Sequence, residues 1–239
     1  PTVHQAMELA VVFSERNECT RANPVQVEVG EGEHVMVGVD VRYCGLLTHV
    51  SCSNITIVGK GKGKTTILGG FYVNGKQNVK IEQLSAINTS GIGLYCKESG
   101  TNVDVMECCF KKCQFGGMAV IRGATVTATR CDFMENGHYG VACAGANAKV
   151  RLNDSTMHHN GYYGLYAIDH AVVDLHGTKT GINSNKEYGI YATENAKVNI
   201  HLPSQHNTTH DNIGQNRFQR RGGSIANINA VGSTFTRVV

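Results

Sequence analysis

The feature that most restricts this chain is a hydrophobic pattern that returns every 23 to 25 residues. Segments beginning at Ile55, Val79, Val103, Val126, Val150, Val173 and Val198 align in steps of 24, 24, 23, 24, 23 and 25 residues. Two residues on, a second column reads Ile57, Ile81, Val105, Ala128, Leu152, Leu175 and Ile200. An apolar pair flanking one outward residue is the signature of a strand with one buried face. Further along each unit come Leu84, Cys108, Cys131, Ser155 and Thr178, then Ala86, Phe110, Phe133, Met157 and Thr180, which mark a second strand. A third follows the glycines at 93, 117, 140, 164 and 189, with inward pairs Leu94/Cys96, Met118/Val120, Val141/Cys143, Leu165/Ala167 and Ile190/Ala192.

Three short strands within one such unit leave no room for a helix, so the repeat predicts one triangular coil per unit. The fold class is therefore all-β: a right-handed, single-stranded parallel β-helix, a three-sided solenoid of about 24 residues per coil and about seven coils. The 28 glycines beside only 3 prolines fit many tight turns and an unbroken backbone ladder. Asn136, Asn160 and Asn185 are expected to stack in a turn where a side chain tolerates left-handed backbone. Residues 3–14 place Ala6, Leu9, Ala10 and Phe13 on one helical face, as a short N-terminal capping helix would. The expected organisation is one domain over residues 1–239. It comprises an N-terminal cap (1–20), coils (25–202) and a C-terminal cap region (203–239) in which Ile225, Ile228 and Phe235 fold over the far end.

Composition excludes several classes. A net charge of +3, with lysines and arginines scattered apart from Lys60, Lys62, Lys64 and the pair Arg220–Arg221, provides no basic footprint for nucleic acid. No apolar run reaches the roughly 20 residues of a membrane span. Nine cysteines, an odd number without zinc-type spacing, are expected as reduced thiols, which favours an intracellular location. Glycosylation-type triplets at Asn54, Asn88, Asn153 and Asn207 keep a secreted location as the alternative. Cys108 and Cys131 share an inward column in adjacent coils, so a disulfide is geometrically open to them, but a thiol ladder is the commoner arrangement.

The run from Ile55 to Gly70 (Ile-Thr-Ile-Val-Gly-Lys-Gly-Lys-Gly-Lys-Thr-Thr-Ile-Leu-Gly-Gly) resembles the first coils of pectate-lyase-like β-helices. The units around His138-Tyr139-Gly140, Tyr162-Tyr163-Gly164 and Glu187-Tyr188-Gly189 resemble the repeats shared by carbohydrate-active and NosD/CASH-type β-helix proteins. The likeness spans residues 25–200. It implies the architecture and leaves the activity open, because this fold carries lyases, hydrolases, epimerases, phage tail fibres and non-catalytic recognition modules. The family's catalytic patterns are aspartate clusters with an arginine, paired aspartates, or a Tyr-Gly-Phe-Asp-Pro-His stretch. None is intact here, and the run from Tyr163 to His170 is only a loose echo of the last.

Four groups merit attention as sites. Arg151, Asn153, Asp174, His176 and His201 are expected on one exposed sheet face, where the arginine could hold an acidic sugar and a histidine abstract the proton beside its carboxylate. Any β-helix must also clothe that face in polar residues, and Arg151 facing Asp174 is an ordinary cross-strand pair. A second patch combines the outward tyrosines Tyr95, Tyr166 and Tyr191 with Asp169, His170 and Glu194, a set suited to sugar rings or peptides. Ala119 and Ala142 interrupt that column. The Gly59–Thr66 segment lacks the first glycine of a phosphate loop, Val58 standing there, and reads as a corner with solvated lysines. His158 and His159 point opposite ways, so no metal is expected there, and no cofactor is expected anywhere. The leading expectation is a non-catalytic recognition or scaffold module for a protein or polysaccharide partner. The alternative is a lyase or epimerase acting on uronic-acid glycans.

Overall fold

The computed structural model describes residues 2–17, 19–36, 39–41, 44–203 and 205–228. After one helix, α1 (Val3–Arg16), every strand belongs to one of three parallel sheets, entered in turn by each coil of a right-handed solenoid. The first sheet has nine strands, the second eight and the third nine. The only antiparallel pairing among the described residues is the hairpin of Val39–Val41 with Gly45–Val50 on the edge of the third sheet.

Register follows the valine column. Ile55, Val79, Val103, Val126, Val150, Val173 and Val198 are paired residue to residue through successive coils. The stack is longer than seven coils: Val25 pairs with Ile55 before it and Ile225 with Val198 after it. The segment expected to close the far end instead continues the winding through Thr209–His210, Gln215–Gln219 and Ser224–Asn227, each paired parallel to the coil beneath. Phe235 lies outside the described residues. Ile57, Ile81, Leu152, Phe110 and Phe133 are fully buried in the resulting core, each contributing about 2 kcal/mol of apolar burial. The Phe110 and Phe133 rings stack at 5.5 Å. All nine cysteines are free, Cys108 and Cys131 included.

Two details of the expected core shift. In the second sheet Thr180, not Thr178, takes the place of Ser155, and Ile182 pairs with Met157. The corner at Asp154 is one residue, whereas Gly177, Thr178 and Lys179 make the next one two residues longer. In α1 the buried residues are Val3, Met7 and Ala10, while Leu9 and Phe13 are 62% and 54% exposed. The helix thus lies rotated from the predicted face, started by a capping box between Thr2 and Gln5.

The asparagine stack exists and reaches further than expected, to Asn212. Asn136 Nδ2 donates to Asn160 Oδ1 at 3.0 Å, Asn160 to Asn185 at 2.9 Å and Asn185 to Asn212 at 2.8 Å. Each of these amides also donates to a carbonyl of the preceding coil, Phe110, Phe133 and Met157 in turn. The left-handed residue is not the asparagine but the one before it: Glu135, His159, Ser184 and Asp211 have φ between 53° and 56°. That conformation costs roughly 1 kcal/mol per residue, and the buried amide bonds offset it. The following glycines are required by close approach: a Cβ on Gly140 would sit 2.8 Å from the Gly164 carbonyl oxygen and 3.0 Å from Asn160 Nδ2. Asn160→Ala should cost about 2–3 kcal/mol, because it strands the Asn136 donors on one side and the Phe133 and Asn185 acceptors on the other. Asn212→Ala, in the half-buried last rung, should cost less, and denaturant titration of both variants checks the order.

Candidate functional site

The outer face of the first sheet brings Arg151, Asn153, Asp174, His176 and His201 together. Because Val150, Leu152, Val173 and Leu175 point inward, their neighbours point out, and register sets Arg151 beside Asp174 and Asn153 beside His176. Asp174 also pairs with Asn199. The expected cross-strand pair of Arg151 and Asp174 is realised in the backbone, yet the carboxylate is engaged elsewhere. Asp174 Oδ1 accepts a hydrogen bond from Asn199 Nδ2 at 2.9 Å and lies 3.1 Å from His201 Nε2. The His176 and His201 rings stack with centroids 4.2 Å apart and planes 6° from parallel.

Burial lowers the His176 pKa from the ordinary imidazole value, and the positive charge of Arg151 and the neighbouring His201 lower it further. His176 is therefore a neutral imidazole at neutral pH, able to accept a proton. Arg151 is exposed and Asp174 orients a second histidine, so the group holds the elements of acid–base chemistry on an anionic substrate. The bounding corners are one residue at Asp154 and a short turn at residues 177–179, whereas the segment after His201 is longer, running to Thr208 and reaching back to bond the Thr178 carbonyl through His206 Nε2 at 2.8 Å.

The outer face of the third sheet carries the aromatic residues. Tyr166 and Tyr191 stack at 5.3 Å, as the spacing implies, and Phe218 continues the column. Tyr95 does not stack on these rings, although Tyr166 packs against the same outer apolar cluster as Tyr95. Tyr95 stacks on Tyr72 at 5.4 Å and belongs to that cluster with Cys44, Leu47, Ile92, Ala119 and Ala142. Ala119 and Ala142 are themselves buried there, so the gap in the tyrosine column is a packed floor. Asp169 and His170 are exposed in a left-handed turn at the border of the sheet, and the Glu194 carboxylate is paired with Arg221 at 3.3 Å.

Sequence reasoning missed a second aromatic column, Tyr163 and Tyr188. These rings stack at 5.8 Å, Tyr188 stacks on Phe218 at 4.7 Å, and Tyr163 packs against both Tyr166 and Tyr191. Tyr163 and Tyr166 are three residues apart, which strict alternation assigns to opposite faces. The bend at Gly164 interrupts the ladder between Tyr163 and Leu165 and returns both rings to the same side. The repeated Tyr-Gly pair was the available signal. Burial, followed by the nearby Glu187, pushes the Tyr163 phenol up to about 12, and burial also raises Tyr95 to about 12, so both remain hydrogen-bond donors. The Arg220 guanidinium sits 5.4 Å from the Tyr191 ring centre. No cluster of three or more metal-ligating side chains occurs among the described residues. None of their helices is long and apolar enough to cross a membrane.

A three-sheet parallel solenoid with ladders of like residues inside and distinct displays outside defines a β-helix protein. The chain matches the right-handed β-helix region family over residues 15–154, more than half its length, and belongs to that family. No curated protein matches the sequence. Among solved structures it is similar to ORF18 of Geobacillus virus E2, at 12% identity and a TM-score of 0.46, covering 86% of this chain and 54% of that one. The chain thus spans about half the length of the viral protein. It is also similar to the A-module of the mannuronan C-5 epimerase AlgE4 of Azotobacter vinelandii, at 11% identity and a TM-score of 0.35, covering 95% and 93%. Both likenesses concern fold alone.

The first-sheet electrostatics can be tested by pH. Arg151→Gln should move the His176 titration midpoint up toward the usual imidazole value, read by NMR. Since the folded value lies below the unfolded one near 6.5, the contribution of His176 to stability is present above that pH and fades as pH falls through the folded value. His176→Gln should flatten that part of the stability profile.

Proposed function

We propose that this chain is a non-catalytic recognition module whose binding surface is the aromatic outer face of the third sheet, and that its partner is a protein. The observation that carries this reading is the paired stacking of Tyr163, Tyr188 and Phe218 beside Tyr166 and Tyr191. Rings stacked on one another have used their faces, which sugar rings need; with Tyr191 buried beneath them, the half-buried Tyr163, Tyr166 and Tyr188 offer edges and phenol hydroxyls instead. A rigid, flat, amphipathic strip of this kind suits the core of a protein interface. The tyrosines are held by the sheet register, so little side-chain entropy is lost on binding.

One observation favours a second reading, a lyase or epimerase acting on uronic-acid glycans. His176 is held neutral, His201 is bonded to Asp174, and the exposed Arg151 could hold a carboxylate. The short corners at Asp154 and residues 177–179 weigh against it, since sugar-processing sites enclose much of their ligand and only the segment after His201 is long enough to border one.

The full chain, immobilised and exposed to an extract of the cells in which it occurs, should retain a protein. A Tyr166→Ala/Tyr188→Ala variant with unchanged circular dichroism should retain at least tenfold less of it. A panel of neutral and acidic polysaccharides should leave both unbound. Rising ultraviolet absorbance on incubation with uronic-acid polymers, abolished by His176→Ala, would overturn the proposal in favour of the enzyme.

A further inference from the structure

The second sheet carries a feature that neither outer face explains. At outward positions on this sheet, Ser85, Cys109, Asp132 and Thr156 follow one another through four coils. Asp132 and Thr156 are half-buried, as an outer face requires, yet Ser85 and Cys109 are 0% and 6% exposed. They are covered by a loop. In most coils the corner between the first and second sheets is a single left-handed residue, such as Gln83, Glu107 or Arg130. In the coil before Ser85 it is expanded to residues 59–64, the segment that reads as a corner with solvated lysines.

Those lysines are all paired. Lys60 reaches Glu28 at 3.3 Å and Lys64 reaches Glu31 at 2.9 Å, which fastens the base of the loop to the first coil. Lys62, at the tip, extends past Ser85 and Cys109 to Asp132, where Nζ and Oδ2 are 2.5 Å apart. The Ser85 hydroxyl donates to the Lys62 carbonyl. Asp132 also accepts from Thr156 Oγ1 at 2.8 Å, which steadies the far anchor. The loop alternates glycine with lysine, and Gly61 has φ 127°, a conformation open to glycine alone. A Cβ on Gly63 would meet nothing, so the tip is not wedged into place. Gly59 and Gly61 N–H donate to the Glu82 and Gln83 carbonyls, and Lys64 and Thr65 N–H close back on the Gly61 carbonyl, so only the tip at Lys62 and Gly63 is secured by one ion pair and one hydroxyl bond alone, between two better-fastened ends.

We propose that residues 59–64 form a latched strap over a latent nucleophile site on the second sheet, with the Lys62–Asp132 pair as the latch and Cys109 as the guarded thiol. Closed, the strap keeps Cys109 inert: burial and then the neighbouring Asp132 carboxylate together push its thiol up to about 11. Open, it presents a hydroxyl, a thiol and a carboxylate in consecutive coils, about 4.8 Å apart along the stack. This reading is independent of the aromatic face.

The chain supplies its own control. Cys108 and Cys131 are inside the solenoid at 0% exposure, so their reactivity reports loosening of the coils, whereas that of Cys109 reports the strap. The full chain is pulsed with iodoacetamide at neutral pH, and alkylation is mapped by mass spectrometry. Lys62→Met and Asp132→Asn should each speed modification of Cys109 at least tenfold while Cys108 and Cys131 stay as slow as in the parent chain. Three results would overturn the proposal: a Cys109 rate unchanged in both variants, a parent-chain Cys109 rate matching that of the urea-unfolded protein, or acceleration of Cys131 in step with Cys109. In the last case the ion pair would hold the coils themselves and not a strap.

Discussion

Everything in this molecule depends on parallel strands pairing in register from one coil to the next. The backbone of each coil finds its hydrogen-bond partners in the coils above and below, so equivalent residues are forced on top of one another. That single constraint makes a valine column, a phenylalanine stack and an asparagine ladder from the same rule. The asparagines show it most clearly: each buried amide shares its bonds between a carbonyl of the preceding coil and the equivalent asparagine of the next.

The constraint governs the inside and leaves the outside free. Inward positions must be apolar or able to bond like with like, whereas outward positions need only tolerate water. Each sheet has accordingly taken a different display: histidines, asparagine and arginine on the first, a covered thiol on the second, stacked phenols on the third. The outer cluster around Cys44, Ala119 and Ala142 is the exception, since part of the third sheet buries a second apolar layer against the hairpin side. Core packing and surface display therefore reside in different columns of the same strands, and one can change with little effect on the other.

What could be read from the residues alone follows the same division. The coils from Ile55 to Ile200 were legible because their inward residues are apolar and alternate. The coil after Pro203 was not, because Arg217 and Gln219 occupy the columns of Ile190 and Ala192. Among the described residues those side chains are exposed, and the apolar requirement lapses. The first coil was obscured by the 30-residue step from Val25 to Ile55, which contains the hairpin. On the surface, the polar constellation around Asp174 could be placed from register, but its hydrogen bonds could not. Asp174 had three neighbours to choose among, and side-chain reach decided for Asn199 and His201. The glycine bend hid Tyr163 and Tyr188, and the pairing of the three loop lysines with distant acids left no local trace.

The corner at residues 177–179 shows how such a chain can vary. Two added residues there are absorbed before Thr180, and the columns of Ile182 and Ile190 resume undisturbed. The strap at residues 59–64 is a larger addition of the same kind. Insertions are thus quarantined at the vertices of the triangle, where they alter neither the width of the prism nor the alignment of its sides. A lineage built on this plan can acquire new surface equipment one vertex at a time, while its cross-section stays fixed by the strands between.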